Sequence, residues 1–253
     1  MINKESVKDA RQLYYSLLSR LFVFSYSDER FSGVKETMSV MATSPLDELS
    51  KDALEHVVDK FDTSKLIEEY DDIFHAPPTP VRVTISYYSE GYESGEAHAK
   101  VKKLLSKTKL RKDDSKYVEN EDNFGFLFTL MSQFIDDETL CTEIFTEFIN
   151  PYVDEFIANV YTHDSSDVYK EIAIILRSFM EFERAYYGVS KPVDSKNIQV
   201  YGGLSRSERA RRELNKQKRS RGSRDGFEKK KLSETGSDGS SRGSSSIDCF
   251  ECS

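Results

Sequence analysis

The chain of 253 residues has no tryptophan, three cysteines, four histidines and six prolines, and each scarcity removes a class of function. Three cysteines, an odd number, argue against a disulfide framework. Cys141, between Leu140 and Thr142 in a helical stretch, reads as a small buried residue. His56, His75, His98 and His163 are scattered with no ligand spacing among them, which argues against a metal hydrolase or oxidoreductase. There is no phosphate-cradling glycine loop, nucleophile elbow or zinc-protease motif. We therefore expect neither an enzyme nor a bound cofactor. No apolar run approaches the roughly 20 residues of a membrane span, and the N-terminus MINKESVKDARQLYY lacks the apolar stretch of a secretory signal. The expectation is a soluble cytoplasmic protein without membrane insertion.

What is present is charge, unevenly divided. From Leu204 to Ser253 there are 13 Lys and Arg against 8 Asp and Glu, with repeated Ser and Gly and few large apolar residues. Such a segment buries too little surface to offset its ordering entropy, so residues 204–253 read as a disordered basic tail. Residues 1–203 then carry 23 basic and 36 acidic residues, an acidic body that disfavours a stable nucleic-acid complex. The stretch Arg206 to Lys231, with twelve basic and four acidic residues, does resemble arginine-rich RNA-binding segments. A nucleic-acid-binding or regulatory adaptor working through that tail is thus the competing reading. Cys249 and Cys252 form a CxxC in the tail, a weak metal candidate because one CxxC supplies only two ligands.

Periodicity makes the body all-α, a single domain of about eight to ten helices with a long proline-rich hinge loop. Val7, Ala10, Tyr14, Leu17, Leu21 and Phe24 recur at intervals of three and four, which predicts a first helix from Lys4 to Val23. A second spans Phe31 to Met41. Ser44 as N-cap, Pro45 at the first helical position and Asp47 with Glu48 in the first turn predict the start of a third, ending near Phe61. Ser64 to Phe74 follows, closed by Pro77 and Pro78. Further helices are expected over Glu93–Leu110, Asp122–Asp136, Glu138–Phe148, Pro151–Tyr161 and Asp167–Tyr187, the last capped by Gly188. Val81 to Tyr88 alternates like a strand but has no partner strand.

Two stretches stand out chemically. Glu69 to Gly91, EYDDIFHAPPTPVRVTISYYSEG, carries an acidic helix with Tyr70, Asp71, Asp72 and Phe74 into a loop stiffened by Pro77, Pro78 and Pro80 and ending in Tyr87 and Tyr88. Glu119 to Met131, ENEDNFGFLFTLM, is the second. Carboxylates beside aromatics suit a partner that presents arginines next to an apolar stretch, since carboxylates accept bidentate guanidinium bonds and aromatic faces stack on them. The plain alternative for Glu68, Glu69, Asp71 and Asp72 is a solvated helix face, and for the aromatics a place in the core.

The order RxLYYxLLxxLF (Arg11 to Phe22), EYDDIF, a proline loop ending near SYY, then ENEDNFGFLFTLM resembles the TorD/DmsD/NarJ family of chaperones for molybdenum-containing redox enzymes. The similarity spans roughly residues 1–190. Glu119, Asp122 and Met131 match its second motif, whereas Asn123 stands where the family usually has histidine and Thr129 where an acidic residue is common. The acidic, Asn-bearing form is most similar to the formate dehydrogenase-associated type. The resemblance implies binding of the twin-arginine signal peptide, and thereby the catalytic subunit, of a molybdoenzyme held until its cofactor is inserted. It points to Asp71, Asp72, Glu119 and Asp122 for the guanidinium groups, and to Tyr70, Phe74, Tyr87, Phe124 and Phe126 for the apolar stretch. Pro77, Pro78, Pro80, Ser86 and Asn123 complete the implied site. Monomer and domain-swapped dimer are both open.

Overall fold

The computed structural model describes residues 4–24, 28–115 and 117–192. The expected tail, with Cys249 and Cys252, lies outside the described residues. Among those described, ten α-helices and no β-strand are found: α1 Lys4–Phe22, α2 Val34–Ala42, α3 Glu48–Lys60, α4 Thr63–Phe74, α5 Ile85–Glu90, α6 Glu96–Ser106, α7 Phe124–Gln133, α8 Glu138–Glu143, α9 Val153–Tyr161 and α10 Val168–Tyr187. The helices share one aromatic-rich core. Phe22 lies at its centre, with edge-on contacts to Phe74, Phe128, Phe156 and Tyr169 at ring separations of 5.2 to 6.2 Å. Offset and edge-on aromatic geometries add to the area such rings bury.

α1 and α7 pack closely because Gly125 has no side chain. A Cβ there would come within 2.5 Å of the Val23 amide nitrogen and 2.6 Å of the Phe22 carbonyl carbon, so any other residue would force the two backbones apart. α1 is also clipped to α10. Arg11, 1% exposed, donates from Nε and Nη2 to the two carboxylate oxygens of Glu183 at 2.6 and 2.9 Å. The Tyr15 hydroxyl donates to the same carboxylate at 2.7 Å, so the buried pair is both charge-balanced and hydrogen-bonded, as burial of ions demands. The expected inward face of α1 therefore needs adjustment. Ala10 is exposed and Arg11 is buried.

α4 is fastened to α10 by Glu69. Its carboxylate accepts from the backbone N–H groups of Asp167, Val168 and Tyr169 at 2.8, 3.1 and 2.7 Å, which supplies partners and a favourable charge to the otherwise unbonded first turn of α10. The bland reading of a solvated acidic face thus fails for Glu69, which is buried, and stands for Glu68, Asp71 and Asp72, which are exposed.

Several element boundaries differ from the sequence expectation. α3 begins at Glu48, because Asp47 is the N-cap: its side chain accepts from the Ser50 N–H at 2.6 Å while Ser50 Oγ accepts from the Asp47 N–H at 3.0 Å. That reciprocal pair outweighs the Ser44–Pro45 signal. The expected helix from Phe31 is a 3-10 turn, Asp28–Phe31, followed by α2. Tyr87 and Tyr88 do not end a loop but lie in the short α5. α6 starts at Glu96, where Glu90 accepts from the Glu96 and Ala97 amides at 2.8 and 2.9 Å. The expected helix over Glu138–Phe148 is present, but its second half, Ile144–Ile149, widens to a π turn.

Candidate functional site

The two chemically distinctive stretches meet. After α4 the chain turns at His75, which donates its amide to Asp71 O at 2.9 Å, and Val81 N–H returns to Ile73 O at 2.8 Å. The backbone then pairs with the run-up to α7 through a single bridge, Thr84 to Asn123, in which Ile85 donates to Asp122 O and Phe124 donates to Val83 O, both at 2.9 Å. One bridge explains why the alternating Val81–Tyr88 stretch looked like a strand. From Ile85 onward it winds into α5, with Ile85 and Tyr88 turned into the core.

Three polar residues of the second stretch, Asp122, Asn123 and Glu119, have distinct tasks at this junction. Asp122, 0% exposed, accepts from the Ser86 N–H at 3.0 Å and the Ser86 Oγ at 2.5 Å through Oδ2. Ser86 Oγ in turn accepts from the His98 N–H of α6 at 3.1 Å. Asp122 therefore ties α5 and α6 to the start of α7. Asn123 is the N-cap of α7, with Oδ1 accepting from Gly125 and Phe126 at 2.7 and 3.4 Å. Its Nδ2 donates to Glu119 Oε2 at 2.8 Å, and Oε2 also accepts from the Phe24 N–H at 3.1 Å. An amide fulfils both roles as acceptor and donor without charge. Burial pushes the Glu119 carboxyl above its ordinary value, opposed by the Phe24 N–H and by His75 and Arg30 nearby.

Glu119 lines a cavity of about 280 Å³ at the junction. Phe74, Val81, Val83 and Val118 form its apolar walls. Arg82 and Glu93 supply charge at the same cavity, with His75, Thr84 and Asn120 as further polar groups. His75 Nδ1 lies 3.0 Å from Asp71 Oδ1, which brings a third carboxylate, after Glu119 and Glu93, to the neighbourhood. Val118 is 55% exposed, a large apolar side chain left in water beside the opening.

The sequence-predicted residues thus fall into three groups. Glu119 and Phe74 line the cavity, and Asp71 reaches it through His75. Tyr70, Ser86, Asp122, Asn123, Phe124 and Phe126 are buried. Phe124 stacks on Phe156 at 4.5 Å and Tyr70 packs against Phe74 at 4.7 Å, so these aromatics and Asp122 do not face a groove but hold the framework around the cavity. Asp72, Pro77 and Pro78 are exposed, Pro80 and Tyr87 half-buried, and none of them lines it. The lining residues missed include His75, Arg82, Thr84, Glu93 and Val118. Arg82 alternates between two inward valines, a pattern visible in the sequence, whereas Glu93 and Val118 sit in polar connecting segments with no periodic signal. Among the described residues no group of His, Cys, Asp and Glu is arranged to hold a metal ion, and no helix is long and apolar enough to cross a membrane.

No curated protein sequence matches the chain. A solved structure from Archaeoglobus fulgidus, described as a redox enzyme maturation protein, is similar with a TM-score of 0.47 and 18% identity, covering 68% of this chain and 93% of that one. Residues 42–158 match the family model of the nitrate reductase delta subunit, a span that contains both distinctive stretches. By that match residues 42–158 are similar to the NarJ/TorD-type family of redox-enzyme maturation chaperones, the family that the order of motifs resembles.

Proposed function

We propose that the chain is a cytoplasmic, non-enzymatic chaperone that binds the twin-arginine signal peptide of a molybdenum or tungsten redox enzyme and holds the precursor during cofactor insertion. Formate dehydrogenase is the client implied by the subtype resemblance. The observation that carries the reading is Glu119, a largely buried carboxylate on a cavity built where the two distinctive stretches pair. A twin-arginine leader presents guanidinium groups followed by a moderately apolar run. Glu119, Glu93 and Asp71 suit the first, and Phe74, Val81 and Val118 suit the second. Asp122 and Asn123 act at one remove, by fixing the backbone that presents Glu119.

A hydrogen bond to a charged group contributes about 1.5–3 kcal/mol. Two arginines and a small apolar anchor therefore bring the peptide to roughly micromolar affinity, weak enough for release when the client matures. In a calorimetric titration, a synthetic twin-arginine leader peptide is expected to bind the purified protein, and Glu119→Gln to weaken binding at least fivefold. Deletion of 204–253 is expected to leave the affinity unchanged. Absence of binding to the intact protein would remove the mechanism, and loss on tail deletion would favour the adaptor reading.

A further inference from the structure

The cavity beside Glu119 already has an arginine at its edge. The Arg82 guanidinium lies 3.3 Å from Glu93 Oε1 and 5.9 Å from the centre of the Tyr87 ring. The side chains of Arg82 and Glu93 are 46% and 47% exposed. An ion pair so open to water holds weakly, because solvent screens it and ordering two long side chains costs entropy.

Farther into the same cavity are two groups that Arg82 does not engage. Glu119 lines it, and the hydrogen bonds its carboxylate accepts among the described residues, from Phe24 N–H and Asn123 Nδ2, fall on Oε2. Thr84 lines it as well, 4% exposed, with an Oγ1 that is buried and has no hydrogen-bond partner among the described residues. A buried hydroxyl left unpaired is costly and marks a position where a partner is missing. The resident pair sits at the surface while the unmet hydrogen-bonding capacity lies below it.

We infer that this is a pocket for one arginine side chain, kept closed by the chain's own Arg82, which an incoming guanidinium displaces from Glu93 while gaining Glu119 and Thr84. The inference rests on the peptide reading and adds to it which group must move. A cavity of about 280 Å³ falls just below the roughly 300–1,000 Å³ of pockets for whole small ligands, so a single side chain is the occupant of the right size. Guanidinium is favoured over ammonium because its planar fork can address a carboxylate and a neighbouring hydroxyl together. The buried walls of Phe74 and Val81 exclude water around the deeper contacts and strengthen them. Exchange of one guanidinium for another leaves the net charge of the site unchanged, so the gain comes from depth and not from bulk attraction.

The test is calorimetric titration of a synthetic peptide, two adjacent arginines followed by an apolar stretch, into the full chain and two variants. Arg82→Gln is expected to bind at least threefold more tightly than wild type. Lys35→Gln makes the same charge change at an exposed position on α2 and is expected to stay within twofold. The Arg82 carbonyl, which accepts from the Tyr88 hydroxyl at 2.8 Å, is untouched by the substitution, and circular dichroism checks that the helices persist. Equal or weaker binding by Arg82→Gln, or an equal gain in Lys35→Gln, overturns the displacement while leaving the peptide reading in place. No binding by any of the three proteins overturns both.

Discussion

Glu119 and Asp122 are three residues apart and both acidic, yet their surroundings assign them different work. Asp122 is enclosed and spends Oδ2 on Ser86, so its removal should act first on the junction of α5, α6 and α7. Glu119 keeps its position at the cavity, and burial raises its pKa from the usual glutamate value of 4.5. A raised carboxyl pKa means the group gains a proton at a higher pH than an exposed glutamate, and the neutral acid no longer attracts a guanidinium. Peptide affinity should therefore fall as the pH is lowered from 7.5 towards 5. Other ionisable groups near Glu119 are His75 with Asp71, Arg30, Arg82, Glu93, Tyr70 and Lys112, whose Nζ donates to the Glu119 carbonyl at 2.9 Å. Comparison with Glu119→Gln, in which the pH dependence should be shallower, isolates the carboxylate. An identical pH profile for the two proteins would count against Glu119 as the binding group.

At the scale of elements, the helices with long periodic faces were readable from the residues. α10 shows this best: Val168, Ile172, Ile175, Leu176 and Phe179 recur at helical spacing, and Gly188 closes it with a positive φ of 64°. What periodicity could not show was how polar residues join the helices. Arg11, Glu69 and Glu183 look like surface charges in one dimension and are buried because each meets a partner far along the chain. α5 was hidden for a different reason. Its six residues are too few to establish a period, and the bridge just before it gives the stretch a strand-like alternation. The Glu69 anchor leads to a stability prediction. Glu69→Ala leaves three amides of the first turn of α10 without their acceptor, and loss of such a cap costs about 2 kcal/mol. For a chain of this size that corresponds to a drop of roughly 5 °C in Tm, measurable by circular dichroism. A shift under about 1 °C would show that α10 is held by its packed face alone.

For the whole molecule, the order of motifs along the chain carried the family, and the match over residues 42–158 bears it out. The location of the cavity was half legible. Glu119 and Phe74 were identifiable because they lie inside the two distinctive stretches, whereas Arg82, Glu93 and Val118 acquire their roles only when the Thr84–Asn123 bridge brings the connecting segments together. The aromatics expected at a groove are instead the frame, with Phe124 stacked on Phe156 and Tyr70 enclosed among Phe74, His75 and Tyr169. An acidic body with a small, apolar-walled, carboxylate-lined cavity is suited to hold a positively charged leader without changing any bond in it. The most direct measurement compares two leader peptides on the full chain by calorimetry, one with both arginines and one with both replaced by glutamine. The account predicts a Kd near the micromolar range for the first and at least tenfold weaker binding for the second; equal affinities would contradict it.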